Sequence, residues 1–286
     1  SWKARPRENC GRLMEAQIKD ANKSVYCALY DLDLKGLISA LAGRSNEIDV
    51  KLVMDDANSN SLIKGNNVKF DDEKQLMHNK FCVIDNKIVI TGSFNPTNND
   101  NYNNNNNMII LHSAALSKNY NEEFSELWNG KFGGGDKTKK PVIYINNNKI
   151  ENYFCPEDNC ADKAISQLQG AGSSIYFMTF AFTKEEIADA LLSKNNLDIR
   201  GIFDAGQSSG KYSQYKRLKE FGMDVKKDSN RHKLHHKVFI IDNQTVITGS
   251  FNPTQSGDEK NDENMLIIHD REIASYYLSE FDSLWH

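Results

Sequence analysis

Short apolar runs of strand length recur along the chain, separated by stretches of helical spacing. Residues 24–30 (SVYCALY) and 49–54 read as strands, and residues 11–22 and 34–43 carry the three-to-four-residue apolar spacing of helices. Asp33 stands where an N-cap belongs. FCVID and IVITG read as two strands joined by a tight Asp-Asn-Lys turn, and NMIILH at 107–112 as a further strand. A closing helix over 114–128 puts Phe124, Leu127 and Trp128 on one apolar face.

The same order then repeats. SVYCALY at 24–30 matches SIYFMTF at 174–180, an offset of 150, and IDVKLVMDD at 48–56 matches LDIRGIFDA at 197–205. MHNKFCVIDNKIVITGSFNPT at 77–97 matches LHHKVFIIDNQTVITGSFNPT at 234–254, with 14 of 21 positions identical and an offset of 157. That offset holds to EFSELW and EFDSLW at the ends of the halves, so the second half carries about eight extra residues within 205–230. A whole unit is duplicated. Strand–helix alternation predicts an α/β fold in which helices cover a mixed sheet. We delimit a first unit at 1–130, a Gly-rich linker with a hairpin at 131–150, and a second unit at 151–286. The triple glycine at 133–135 reads as a flexible joint, VIYINNNKIENYF as a hairpin about its Asn run, and the Asn-rich stretch 96–107 as a solvated loop.

Composition narrows the class. A chain of 286 residues with 26% charged and 39% hydrophobic residues is ordinary for a globular protein, and a net charge of −4 excludes a generally basic surface but not a local basic groove. No stretch reaches the roughly 18 apolar residues of a membrane span. Cys27 and Cys82 lie in apolar runs and read as buried small hydrophobes. Cys155 and Cys160 flank CPEDNC, where a local disulfide fits. With a start at SWKARPR, without Met, this segment leans the expectation towards an extracytoplasmic protein that has lost a leader; the compartment is otherwise open.

The repeated stretch carries the chemistry. His78 and Lys80, like His235 and Lys237, are two apart on a strand and face the same side. An imidazole beside an ammonium suits a phosphoryl group: the Lys neutralises oxygens while the imidazole attacks or moves a proton. Ser93 with Asn95, and Ser250 with Asn252, supply short neutral donors to the same oxygens, and Gly92 and Gly249 permit close backbone approach. His232, His235 and His236 are not read as a metal cluster.

HNKFCVID…GSFN and HHKVFIID…GSFN resemble the paired motifs of the phospholipase D superfamily, over essentially the whole chain. The resemblance implies two α/β sandwich units packed face to face as an intramolecular pseudo-dimer, a monomer whose two halves share one active site. It implies a covalent phosphohistidine and no metal or other cofactor. Asp85 and Asp242 belong to the motif and read as structural or electrostatic support. The family's acid after GSxN is Glu263 in the second half, 28 residues after His235, whereas the first half has Asn106 at that place. On the expectation that Glu263 bonds His235 and Asn106 bonds His78, His78 is the nucleophile and His235 the protonated acid.

The superfamily includes nucleases, lipases and phospholipid synthases, so membership does not choose a substrate. Lys226, Lys227, Arg231 and Lys233 lead into the second motif and read as a path for a nucleic-acid backbone. No segment reads as a membrane-surface device. The expected activity is a nuclease in the style of the family's small bacterial endonucleases. The alternative is a phospholipase D or cardiolipin-synthase-like phosphatidyltransferase acting on phospholipid; a non-catalytic binding module sharing the fold is the third class.

Overall fold

The computed structural model describes residues 9–59, 63–71, 74–194 and 196–286. Residues 1–8 lie outside it. The first half runs α1 (Cys10–Lys19), β1 (Ser24–Leu29), α2 (Lys35–Arg44), β2 (Asp49–Met54), β3 (Val68–Phe70), β4 (Lys80–Ile84), β5 (Ile88–Gly92), α3 (Asn98–Tyr102), β6 (Met108–His112) and α4 (Ala114–Trp128). The hairpin β7 (Val142–Ile145) and β8 (Asn148–Cys155) follows. The second half continues with α5 (Cys160–Gln169), β9 (Ser174–Thr179), α6 (Glu185–Leu192), β10 (Asp198–Phe203), α7 (Tyr215–Glu220), β11 (Asp224–Lys227), β12 (Lys237–Ile241), β13 (Thr245–Gly249), α8 (Gln255–Glu259), β14 (Glu263–His269) and α9 (Arg271–Trp285).

The first sheet has the order β3-β2-β1-β4-β5-β6 and the second β11-β10-β9-β12-β13-β14-β8-β7. In each, the first three strands are parallel and the rest antiparallel. Two tandem α/β sandwich units of the expected kind result. Their hairpin turns need left-handed backbone, which Asp and Asn tolerate: Asp85 and Asn86 have φ of 54° and 56°, and Asp242 and Asn243 both 53°. The β7–β8 hairpin turns likewise at Asn146 and Asn147 and joins the second sheet beside β14.

Three hydrophobic clusters hold these layers. One packs α1 and α2 on the first sheet and another packs α5 and α6 on the second. The third draws Phe81 and Val89 from the first sheet, Val238 and Leu266 from the second, and Tyr120 and Phe281 from α4 and α9. The halves therefore share a core, so neither buries its apolar face alone.

Four local expectations are corrected. Cys27 and Cys82 are not free hydrophobes but a disulfide, because β1 and β4 place them directly opposite each other. Their counterparts are Phe177 and Phe239, whose rings meet at 5.6 Å. Room for Phe177 comes from Gly201, where an added Cβ would lie 2.0 Å from the Phe177 ring. Asp33 does not cap α2, whose N-cap is Leu34; its carboxylate instead accepts from the Asn98 backbone N–H at 2.6 Å. The triple glycine is docked, with the Gly133 N–H donating to the buried Asp262 at 2.8 Å. The Asn-rich stretch is a solvated loop only in part, since residues 98–102 form α3, capped by Thr97. Cys155 and Cys160 do form a disulfide.

Candidate active site

His78 and His235 each precede a central strand, and Lys80 and Lys237 begin those strands. Each Lys donates from Nζ to the carbonyl of its own His at 2.8 Å. All four residues are buried. Tyr30 lies edge-on to the His78 ring at 4.7 Å, and its counterpart Phe180 to the His235 ring at 5.0 Å. Two bridges, Met77 with Asp262 and Asn105 with Leu234, stitch each motif to the opposite half. Lys237 acts electrostatically on His78 and Lys80 on His235, so the motifs form one site.

The carboxylates cross between halves, contrary to the sequence expectation. Glu263 bonds His78, not His235: Nδ1 lies 2.8 Å from both carboxylate oxygens. Asn106 does not reach His78; its amide donates to the carbonyls of Asp100 and Asn104. His235 meets Asp100 instead, with Nδ1 3.2 Å from Oδ2, an ion-pair distance without hydrogen-bond alignment. Asp100 aligns with Gly257 in the repeat, and Glu263 with Asn106. Yet both acids are held alike, since Asp100 accepts from the Asn95 N–H and Glu263 from the Asn252 N–H. The two halves have solved one requirement at different chain positions.

Burial sets the protonation states. It pushes Glu263 up to about 8, against the pull of Lys80 and Lys237. It also pushes Asp100 up, but there the His235 contact and the donors Asn104 and Asn95 win and hold the carboxyl well below the usual range. Burial, then the two lysines, lowers His78 well below an ordinary imidazole. Burial and Lys237 lower His235 too, while Asp100 opposes them. Lys80 is brought down to about 8 by burial, and Lys237 is lowered by burial and by Lys80. An anion entering between the lysines would reverse that depression.

A family model described as "Cardiolipin synthase, PLD-like domain" matches residues 14–128 and 164–285. The chain belongs to the phospholipase D superfamily. It is 32% identical over 144 residues to "Phospholipase D" of Rickettsia prowazekii (strain Madrid E), a match covering 50% of this chain and 70% of the relative. To "Mitochondrial cardiolipin hydrolase" of Xenopus laevis it is 34% identical over 136 residues, covering 46% of this chain and 65% of that one. The structure of phosphatidylserine synthase from Haemophilus influenzae Rd KW20 superposes with a TM-score of 0.70 at 12% identity, over 94% of this chain and 82% of that one, a likeness of fold.

Within this superfamily frame, Asp85 and Asp242, grouped with the catalytic residues from the motif, lie away from the reacting groups. The strand carries each roughly 16 Å beyond its Lys. Asp85 accepts the N–H groups of Asn22, Lys23 and Ser24, and Asp242 those of Gly172, Ser173 and Ser174. Both tie the hairpin turn to the start of a neighbouring strand. The Ser93 and Ser250 hydroxyls are spent inside the protein, on Asn107 and on Asn264 and Glu263. Asn95 and Asn252 each leave a side-chain oxygen without a partner; an oxygen only accepts, so any contact of theirs to a phosphate oxygen would have to come from the amide NH2. Gly92 and Gly249 serve a close approach of backbone: a Cβ on either would lie 2.3 Å from the Asn107 or Asn264 carbonyl.

The basic run does not follow a single path. Lys226 donates to the Trp285 carbonyl and covers the Trp285 ring, and Lys227 lies over Tyr215. Only Lys233 adjoins the histidines, 5.5 Å over the Phe180 ring, with the exposed Arg231 two residues before it. Among the described residues, three carboxylates come close enough to share a cation: Asp55, Asp56 and Asp71. Two of them already accept backbone N–H groups, Asp55 from Ala57 and Asp71 from Asp56 and Met77. Sequence reasoning missed Asp100, Tyr30 and Phe180. An aromatic at the same place in both repeats was the available signal for the last two.

Proposed function

We propose that the protein hydrolyses phosphodiesters of nucleic acid without a metal, through a phosphohistidine on His78. The observation that carries the substrate reading is Lys233, which lies over Phe180 beside His235 and, with exposed Arg231 two residues before it, offers cations to a phosphate backbone. Loss of the extra proton from the His78–Glu263 pair leaves Nδ1–H donating to the carboxylate and a lone pair on Nε2. Nε2 attacks phosphorus, and the bond to the leaving oxygen breaks as His235 gives that oxygen its proton; burial and Lys237 hold His235 neutral in the free protein, and the charge of the bound phosphate, added to that of Asp100, is what protonates it. Asp100, ionised, supports the proton on His235. Water then attacks phosphorus, His235 takes its proton, and the P–N bond to His78 breaks. Lys80 and Lys237 neutralise the non-bridging oxygens throughout.

Incubating the protein with an end-labelled single-stranded oligonucleotide in excess EDTA, beside His235→Asn, tests this. Cleavage by the unsubstituted protein alone is expected. Cleavage by both sinks the site assignment. The names of the two relatives favour a second reading, hydrolysis of phospholipid, for which an uncut oligonucleotide and hydrolysed cardiolipin vesicles would be the result.

A further inference from the structure

The two mouths of the site are built from mirrored residues, and the repeat lets their charges be compared position by position. The His235 flank is formed by Asn103 and Asn105 of the first half zipped to residues 230–233 of the second. Asn230 donates to Asn103 O, Asn105 N–H to Lys233 O, and Lys233 N–H to Asn104 Oδ1. The His78 flank is its mirror, with Asp262 N–H donating to Leu76 O and Leu76 N–H to Asn261 Oδ1.

Side chains at matching positions differ in one net direction. Lys233, exposed, replaces the half-buried Leu76. Exposed Tyr102 replaces exposed Glu259. Ala181 and Ala205 replace Asp31 and Asp56 at the ends of the strands beside Phe180 and Tyr30. Arg231 matches Lys74; Asn103 for Lys260, the buried Asp100 for Gly257, and Leu34 for Lys184, which pairs with Glu259, run the other way but are outnumbered once Asn101 for Asp258 and Asn106 for Glu263 are added. A polyanion is therefore favoured over the His235 flank, and the His78 flank repels it.

We infer that a single nucleic-acid strand is held from one side of the scissile phosphate only, over the His235 flank, with phosphates on Lys233 and Arg231 and a base against Tyr102. This rests on the nucleic-acid reading above and adds a polarity to it: the strand has one preferred direction through a site whose catalytic groups are nearly two-fold. Exposed aromatic and cationic groups in one track suit a single strand, whose bases are free to stack.

The test uses 12-mers, DNA or RNA according to which the full chain cuts, with methylphosphonates replacing all linkages on one side of a central phosphodiester. Neutralising one side is expected to lower kcat/KM at the central bond about tenfold or more, and neutralising the other to change it less than about twofold. Lys233→Leu and Tyr102→Glu import residues that the fold already accepts at the mirrored positions. Together they should erase the difference between sides, and Lys233→Leu alone should flatten the log–log salt dependence by about 0.7. Equal losses from both sides, or an unaltered side ratio in the double variant, overturn the one-sided track while the nuclease reading stands. Neither polymer cut, with cardiolipin vesicles hydrolysed, overturns the nuclease reading and the track with it.

Discussion

Asp100 and His235 meet across the two halves, Oδ2 3.2 Å from Nδ1, where alignment of the repeats puts no acid at all. The mirrored contact, Glu263 with His78, is shorter at 2.8 Å and comes from a different chain position. The two histidines are thus unequal. His235 faces a carboxylate held ionised, and His78 faces one that burial pushes up to about 8. The assignment of His78 as nucleophile keeps its direction but changes its ground, which is now Asp100 and not a Glu263–His235 bond.

Asp100→Asn keeps an acceptor near His235 and removes the charge that supports its proton. It should lower kcat about 10²-fold, with less loss on substrates whose leaving group needs no proton. Glu263→Gln should instead remove the acidic limb of the kcat/KM profile, which otherwise rises towards about pH 8 as the His78–Glu263 pair loses its extra proton. Equal losses on good and poor leaving groups in Asp100→Asn would remove His235 from the role of acid.

Binding of an anion should take up protons. Lys80, brought down to about 8, is only partly charged at that pH, and an oxyanion beside it raises its pKa. Titrating inorganic phosphate at pH 8 in buffers of different ionisation heat should reveal an uptake of roughly half a proton or more. Lys80→Met should reduce it, and a heat independent of the buffer would contradict the account.

Stability should fall as pH rises from about 5 to 8. Asp262 is pushed up to about 8 and Glu157 to about 7, each first by burial, and Glu123 well above its usual value. The folded protein binds these protons more tightly than the unfolded chain, whose carboxyls titrate near 4. Stability is therefore greatest below the folded values and is lost as pH passes through them. Asp262→Asn keeps the acceptor for Gly133 and should raise Tm at pH 8 while leaving it nearly unchanged at pH 5. A pH-independent effect would show that packing, not charge, dominates there.

The disulfides should differ in worth. Cys27–Cys82 closes 55 residues and Cys155–Cys160 only 5. Loop-closure entropy assigns them about 4 and about 2 kcal/mol. Urea unfolding of Cys27→Ala/Cys82→Ala should show the larger loss, and an order reversed between the two double variants would speak against that model.

The duplication, the element order and the two His–Lys pairs were legible because each is local and occurs twice. The ends of α4 and the Asp-Asn turns follow from spacing and from left-handed tolerance. What crossed between halves was not legible. A repeat says that Glu263 and Asn106 correspond, but not that Glu263 serves the other half's histidine. Asp100 was hidden because it lies six residues before the aligned position, inside an Asn tract that composition alone reads as loop. The Cys27–Cys82 bond needed the register of β1 on β4, which no single run of residues reveals.

The central claim is that His78 carries the phosphoryl group. The protein would be mixed in EDTA with an excess of single-stranded oligonucleotide, quenched within the first turnover in base, where phosphohistidine survives, and its peptides read by mass spectrometry. The account predicts a nucleotidyl adduct on the peptide containing His78, lost in His78→Asn. An adduct on the peptide containing His235 would reverse the roles, and no adduct from any oligonucleotide beside a phosphatidyl adduct from cardiolipin would contradict the account.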